Sequence, residues 1–186
     1  NYHLFTPVSQ EADPNNLAPT ASSTAQIALG DALAMSLLAL RGFTAQDFAK
    51  FHPGGALGKQ LYLRVSDIYI HNEKPIIYTD FTIQQAILEI SSKRLGITAV
   101  LGKNDELKGI ITDGDLRRMM SEYTDLKSIK ASDIMNDSPK SIQHNELAVK
   151  GLSIMREFSI TQLVVLDDAR YVGIIHLHDL IKEGLV

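Results

Sequence analysis

Gly109-Ile110-Ile111-Thr112-Asp113-Gly114-Asp115-Leu116 and Gly173-Ile174-Ile175-His176-Leu177-His178-Asp179-Leu180 decide how this chain is read, because the second stretch repeats the first 64 positions later. Upstream of each, Val65-Ser66-Asp67-Ile68 returns as Ala131-Ser132-Asp133-Ile134, 66 positions on. A solenoid needs three or more stacked repeats with atypical ends. Two copies of this size point instead to a pseudo-two-fold pair that buries a shared face and leaves clefts at its seam.

Each copy carries the same order of signals: an extended lead-in segment, an amphipathic helix, a strand, a turn, a second strand and a second helix. In the first copy Ile83, Ala86, Ile87 and Ile90 recur at helical spacing and define one face. Residues 97–101 and 107–111 flank Gly102-Lys103-Asn104-Asp105-Glu106 and read as a hairpin. The second copy offers a helix over 146–158, with Leu147, Leu152 and Met155 as its packing stripe, then strands over 162–166 and 171–175 around Asp167-Asp168-Ala169-Arg170. The closing helices are expected to start at Asp115 and Asp179, Met119-Met120 to pack, and residues 121–131 to link the copies.

Ahead of the repeats, Asp13-Pro14-Asn15-Asn16 and Ala18-Pro19-Thr20 break the chain. A helix follows, with Ser22, Ser23 or Thr24 as its cap and Ile27, Leu33, Leu37, Leu38 and Leu40 on its apolar side, until Arg41-Gly42 stops it. Thr44 is placed to cap a second short helix before Pro53-Gly54-Gly55.

Composition narrows the function classes. The 186 residues are 45% hydrophobic with mean hydropathy near zero, enough to bury a core. The absence of cysteine excludes disulfides, thiolate metal sites and cysteine nucleophiles, and is consistent with a reducing cytosol. With 18 basic against 22 acidic residues the net charge is −4, and no basic cluster marks a nucleic-acid face. The longest apolar stretch, residues 25–40, falls short of the roughly 20 residues a spanning helix needs and carries Asp31, so no membrane span is expected. The first residue is Asn1 and no signal-peptide pattern follows, so the chain is expected to begin within a longer protein.

A tandem β-α-β-β-α unit with the junction Gly-Ile-Ile-Thr-Asp-Gly-Asp-Leu resembles a pair of CBS domains over residues 64–186. Leu17-Ala18-Pro19-Thr20-Ala21-Ser22-Ser23-Thr24, Gly30-Asp31-Ala32-Leu33 and His52-Pro53-Gly54-Gly55-Ala56-Leu57-Gly58-Lys59 resemble the end of the sugar isomerase (SIS) domain of arabinose 5-phosphate isomerases. The resemblance implies an α/β (α+β) fold with four parts. Residues 1–52 are the C-terminal, helical portion of a SIS domain, 53–64 a glycine-rich connector, 65–122 the first CBS domain and 131–186 the second.

By the same resemblance, the parent enzyme is a cytoplasmic homo-oligomer, a dimer through CBS and a tetramer through SIS. It interconverts ribulose 5-phosphate and arabinose 5-phosphate for Kdo, lipopolysaccharide or capsule synthesis. The implied reaction needs no metal or other cofactor, and the implied partners are a phosphosugar substrate and a nucleotide or nucleotide-sugar regulator such as CMP-Kdo, with neither nucleic acid nor membrane. This stretch alone is expected to be inactive. Two other readings stay open: a non-catalytic CBS assembly module, and a SIS-CBS isomerase of another phosphosugar.

The junctions carry the first candidate chemistry, since a helix N-terminus offers free N–H groups and a positive dipole end to an anion. In CBS pairs the residue at the place of Thr112 contacts phosphate and the carboxylate at the place of Asp115 accepts a ribose hydroxyl; His176 and Asp179 hold these places in the second copy. Plain helix capping by both Asp residues is the alternative, and the two are compatible. Having His176 where a hydroxyl would stand predicts unequal clefts. His176, His178 and Asp179 also suggest a metal, but no spacing supplies a third ligand from elsewhere, so none is expected. The segment His52 to Lys59 lacks the P-loop spacing, with Gln60 after Lys59. The isomerase resemblance assigns His52 and Glu11, 41 positions apart, as the catalytic imidazole and carboxylate of an enediol proton transfer. Thr20, Ser22, Ser23 and Thr24 serve either to cap a helix or to hold a sugar phosphate.

Overall fold

The computed structural model describes residues 2–52, 54–122 and 128–185. The chain divides into two units, Asn1–Phe51 and His52–Val186.

In the first unit an irregular segment leads to α1 (Ala21–Leu40), which ends at Gly42 in the left-handed region (φ 61°), and to α2 (Ala45–Phe51). The cap of α1 differs from expectation. Thr20 is the N-cap residue and makes no side-chain cap of its own, while Ser22, Ser23 and Thr24 lie inside the first turn. The capping oxygen comes from Glu11, whose carboxylate accepts from the Thr20 N–H (2.8 Å), the Thr20 hydroxyl (3.1 Å) and the Ser22 N–H (3.1 Å). A longer carboxylate reaching back from a turn satisfies several orphan donors at once. Thr44 caps α2 as expected, its hydroxyl accepting from the Asp47 N–H at 3.2 Å and donating to the Asp47 carboxylate at 2.7 Å. No residue of α1 is buried, and Ile27, Leu33, Met35, Leu37 and Leu40 are exposed. At 20 residues, α1 is also long and apolar enough to cross a membrane by length and composition, which corrects the estimate from residues 25–40 alone.

The second unit holds the repeats. Its leading stretch, read from sequence as a glycine-rich connector, contains α3 (Ala56–Tyr62). The first copy then runs α4 (Ser66–Tyr69), β1 (Ile76–Tyr78), α5 (Ile83–Lys93), β2 (Ile97–Leu101), β3 (Leu107–Thr112) and α6 (Asp113–Glu122). The second runs α7 (Ala131–Ile134), β4 (Ser141–Gln143), α8 (Ala148–Glu157), β5 (Gln162–Asp167), β6 (Arg170–His176) and α9 (Leu177–Lys182). Each copy forms a three-stranded sheet in which the first strand pairs parallel to the second and the second antiparallel to the third. Thr82 and Gln85 close a capping box on α5, whose Ile83, Ala86 and Ile90 are buried. The helices after β3 and β6 begin at Asp113 and Leu177, two residues earlier than expected, because the two aspartates close capping turns rather than open the helices. Met119 is buried, whereas Met120 is exposed. Of the proposed link over 121–131, residues 123–127 lie outside the described residues, and Lys130 bridges to Thr82.

The lead-in turns exchange places. Val65 and Ile68 pack into the core of the second copy with Leu152, Leu163 and Ile175, while Ile129 and Ala131 pack into that of the first with Ile83 and Ile111. The repeated glycines make room for this crossing. A Cβ at Gly109 would stand 2.5 Å from the Asn136 carbonyl oxygen, and one at Gly173 would stand 2.6 Å from the Tyr69 ring. Between the sheets, Ile97, Ala99 and Ile110 meet Val164, Tyr171 and Ile174 in a shared core. Burial pushes the Tyr171 phenol pKa up, and its hydroxyl donates to the Pro75 carbonyl (3.0 Å).

Candidate functional site: the cleft at the seam

Where β3 turns into α6, the Asp115 carboxylate accepts from the Thr112 N–H (2.8 Å) and hydroxyl (2.6 Å), and the Asp115 N–H returns a bond to the Thr112 hydroxyl (3.3 Å). Arg118, one turn on, pairs with the other carboxylate oxygen. The Asp115 side chain is 11% exposed and that of Arg118 70%. A carboxylate offers about four lone-pair sites, so these contacts fix its orientation and leave acceptor capacity for a ligand hydroxyl.

Thr112, Asp115 and Arg118 form one wall of a cavity of about 330 Å3. The opposite wall comes from the second copy and its lead-in: Lys140, Phe158, Ile160 and Gln162, over a floor that includes Ile97, Ile110 and Val164. Lys140 Nζ lies 3.9 Å from the centroid of the Phe158 ring, a cation–π contact. The Gln162 amide donates to the Leu95 carbonyl (3.1 Å) and so faces a fixed direction. The cleft thus combines a helix start, a hydroxyl, an oriented carboxylate, two cations and an apolar floor. That set complements a molecule with a flat ring, vicinal hydroxyls and a phosphate.

The pseudo-equivalent junction is built differently. Asp179 accepts from the His176 N–H (2.9 Å) and from the Asn72 amide (2.7 Å). His176 Nδ1 accepts from the His178 N–H (3.0 Å), and the two rings stack with centroids 4.9 Å apart. Burial, then the neighbouring His178, lowers the His176 pKa against the opposing pull of Asp179. The surrounding groove is more open and polar, with Arg94, Gly96 and Asp113 on its rim. Among the described residues no three or more His, Asp or Glu side chains are placed to hold a metal ion.

Of the sequence-based candidates, Thr112 and Asp115 share the cavity, and His176 and Asp179 share the groove. Glu11 lies in the first unit as the cap of α1, and His52 opens the second, its carbonyl accepting from the Gly55 N–H (3.2 Å). Hydrogen bonds from the Ser22 hydroxyl and the Thr20 and Ser22 backbone hold the Glu11 pKa down to about 2. Sequence reasoning missed Lys140, Phe158 and Gln162, which sit outside the repeated motif and reach the cavity only because the copies face each other. Aligning the copies contains a signal: Phe158 and Ile160 fall opposite Arg94 and Gly96 at the same 64-residue shift.

Two β-α-β-β-α copies with exchanged lead-in turns and a ligand-sized cavity at their seam define a paired module with pseudo-two-fold symmetry. The CBS domain family matches residues 65–122 and 131–185, and the chain belongs to that family. Among solved structures, the CBS-domain containing protein ATU1752 from Agrobacterium tumefaciens superposes with a TM-score of 0.59 at 21% identity, over 65% of this chain and 92% of that one. CBS domain protein PAE2072 from Pyrobaculum aerophilum, complexed with AMP, gives 0.59 at 21% identity over 66% of this chain and 98% of that one. The chain is also similar along nearly its whole length to a particular set of enzymes. Arabinose 5-phosphate isomerase KdsD of Yersinia pestis is 45% identical over 185 residues, 99% of this chain and 56% of that protein. The KdsD of Escherichia coli K12 is 43% identical over the same length, and that of Pseudomonas aeruginosa 43% over 186 residues. The chain therefore spans just over half the length of these curated relatives.

Proposed function

We propose that this chain is the C-terminal part of an arabinose 5-phosphate isomerase and that its seam cavity binds a nucleotide or nucleotide sugar that regulates the enzyme. The observation that carries the regulatory half is the meeting, in one cavity, of the Thr112–Asp115 cap with Arg118, Lys140 and Phe158. The match to these relatives, 43–45% identical overall, covers 99% of this chain and so takes in the first 51 residues as well as the repeats, which supports the isomerase half. In this reading residues 1–52 complete a cytoplasmic SIS domain whose upstream part covers the bare apolar face of α1, and Asp31 faces that protein rather than lipid.

His52 and Glu11 take part in the proton transfer between C1 and C2, and the substrate is a phosphosugar. A carboxylate whose conjugate acid has a pKa of about 2 is a weak base, so Glu11 must leave its capping donors to act as one. Glu11→Gln in the full-length enzyme is expected to lower kcat by about two orders of magnitude, the usual scale of acid–base catalysis. A kcat within a few-fold of the parent would confine Glu11 to capping.

Binding reaches the catalytic half through α3. The Lys59 ammonium pairs with the Glu183 carboxylate (2.9 Å) and donates to the Glu183 carbonyl (2.8 Å) at the end of α9. A ligand shifts activity only by its differential affinity for two states. The test is an isomerase assay of the full-length enzyme with CMP-Kdo, CMP and AMP added in turn. A change in rate with one of them, absent in Asp115→Ala, is expected. Constant rates with all three would favour the assembly-module reading.

A further inference from the structure

We propose that α8 carries the effect of a ligand in the seam cavity to the connector. The second copy thereby drives the catalytic half, although the first copy is the one that follows the connector in sequence. The proposal deepens the regulatory reading of that cavity and rests on it.

Both ends of α8 are engaged. At its C-terminal end the Phe158 N–H bonds to the Ile154 carbonyl (3.1 Å). Past Ser159, which is in the left-handed region (φ 53°), the Ile160 N–H bonds to the Met155 carbonyl (2.9 Å). This closed capping turn fixes Phe158 and Ile160, two of the side chains that line the cavity, to the helix. The N-terminal end lies ten residues, about 15 Å, away. There the Ala148 N–H bonds to the Leu63 carbonyl (2.8 Å), the Val65 N–H to the Glu146 carbonyl (2.9 Å) and the Ser66 N–H to the His144 carbonyl (2.8 Å). The Arg64 guanidinium donates to the Asn145 carbonyl. Between the two ends, Ala148, Leu152 and Met155 of α8 share a core with Val65 and Ile68.

The pseudo-equivalent helix has a different neighbour. At the start of α5 the Ile83 N–H bonds to the Ile129 carbonyl (3.4 Å) and Thr82 bridges to Lys130, both on the link between the copies. Of the two helices, α8 is the one bonded to the stretch that follows the first unit in sequence. Helix α9 also reaches that stretch, through Glu183 and Lys59, but it starts at the open groove and not at the cavity. A ligand that draws Phe158 and Ile160 onto its ring shifts the capping turn. The close-packed core then passes the shift on to residues 63–66, because it holds few voids to absorb it.

The test uses the full-length enzyme with whichever of CMP-Kdo, CMP and AMP changes its rate, at saturating concentration, so that the maximal rate change reads coupling apart from affinity. Ala148→Pro removes the N–H that holds Leu63. Proline is accepted at the first position of a helix, and Leu147 before it is already extended (φ −66°, ψ 138°). Arg64→Ala removes an exposed side chain and leaves the core untouched, which keeps the test decisive should the proline ring disturb folding. Each variant is expected to cut the maximal rate change at least about threefold, with the Kd from equilibrium dialysis changed less than about twofold. Lys130→Ala, at the place of Arg64 by the 66-residue shift, is expected to leave the rate change intact. A full rate change in Arg64→Ala, or an equal loss in Lys130→Ala, would overturn the assignment to α8. A wild type that binds one of the three ligands without a change of rate, or binds none, would overturn the regulatory reading itself, and this proposal with it.

Discussion

At the residue scale, Asp115 combines two tasks that sequence reasoning had to leave side by side. Its carboxylate closes the turn into α6 and still faces the cavity. Asp115→Ala is expected to cost about 1 kcal/mol of stability, the usual worth of a cap, measured by urea unfolding, and to abolish the ligand response as well. Loss of stability alone, with the response intact, would reduce Asp115 to a cap. Gly109 answers to packing rather than to ligand. Gly109→Ala drives a methyl group into the Asn136 carbonyl, a backbone atom that cannot rotate away, and is expected to destabilise by about 1–3 kcal/mol. Unchanged urea unfolding would mean that the crossing of α7 over β3 is looser than described. The motif residues Thr112 and Asp115 were legible because two copies print the same junction twice. Phe158, Lys140 and Asn72 were not, since their roles follow from which copy faces which, and local periodicity carries no record of that.

At the element scale, α5, β2, β3 and their partners in the second copy follow from periodicity, since each buries one face against its own copy. The short turns α4 and α7 escaped it: four residues show no period, and each is held by the other copy's core. The start of α1 escaped for a similar reason, because its capping group lies ten positions upstream in Glu11. That carboxylate makes an acid-sensitive contact. Its folded pKa, about 2, lies below the ordinary 4.5, so the cap's contribution is complete above pH 4.5 and disappears as pH falls through about 2. A carboxyl-carbon NMR titration of Glu11 is expected to show a midpoint near 2; a midpoint near 4.5 would remove Glu11 from the helix start. The pair between α3 and the end of α9 is partly exposed, so Lys59→Met should change stability by less than about 1 kcal/mol. In the full-length enzyme it is expected to weaken the response to ligand several-fold while basal kcat holds. An unchanged response would place the coupling elsewhere.

At the scale of the whole molecule, the two copies share a fold and have diverged in chemistry. One junction faces a cavity with cations and an apolar floor; the other faces a more open groove and carries Asn72 on Asp179 and two stacked histidines. Pseudo-symmetry builds the seam, and the departures from it decide what the seam binds. The most direct test is the thermal stability of the 186-residue chain with AMP, CMP or CMP-Kdo, for the wild type and Asp115→Ala. A ligand present at about 100 times its Kd adds about 2.7 kcal/mol. A rise in Tm with at least one of the three, lost in Asp115→Ala, is expected; an unchanged wild-type Tm with all three at millimolar concentration would contradict the seam cavity as a nucleotide site.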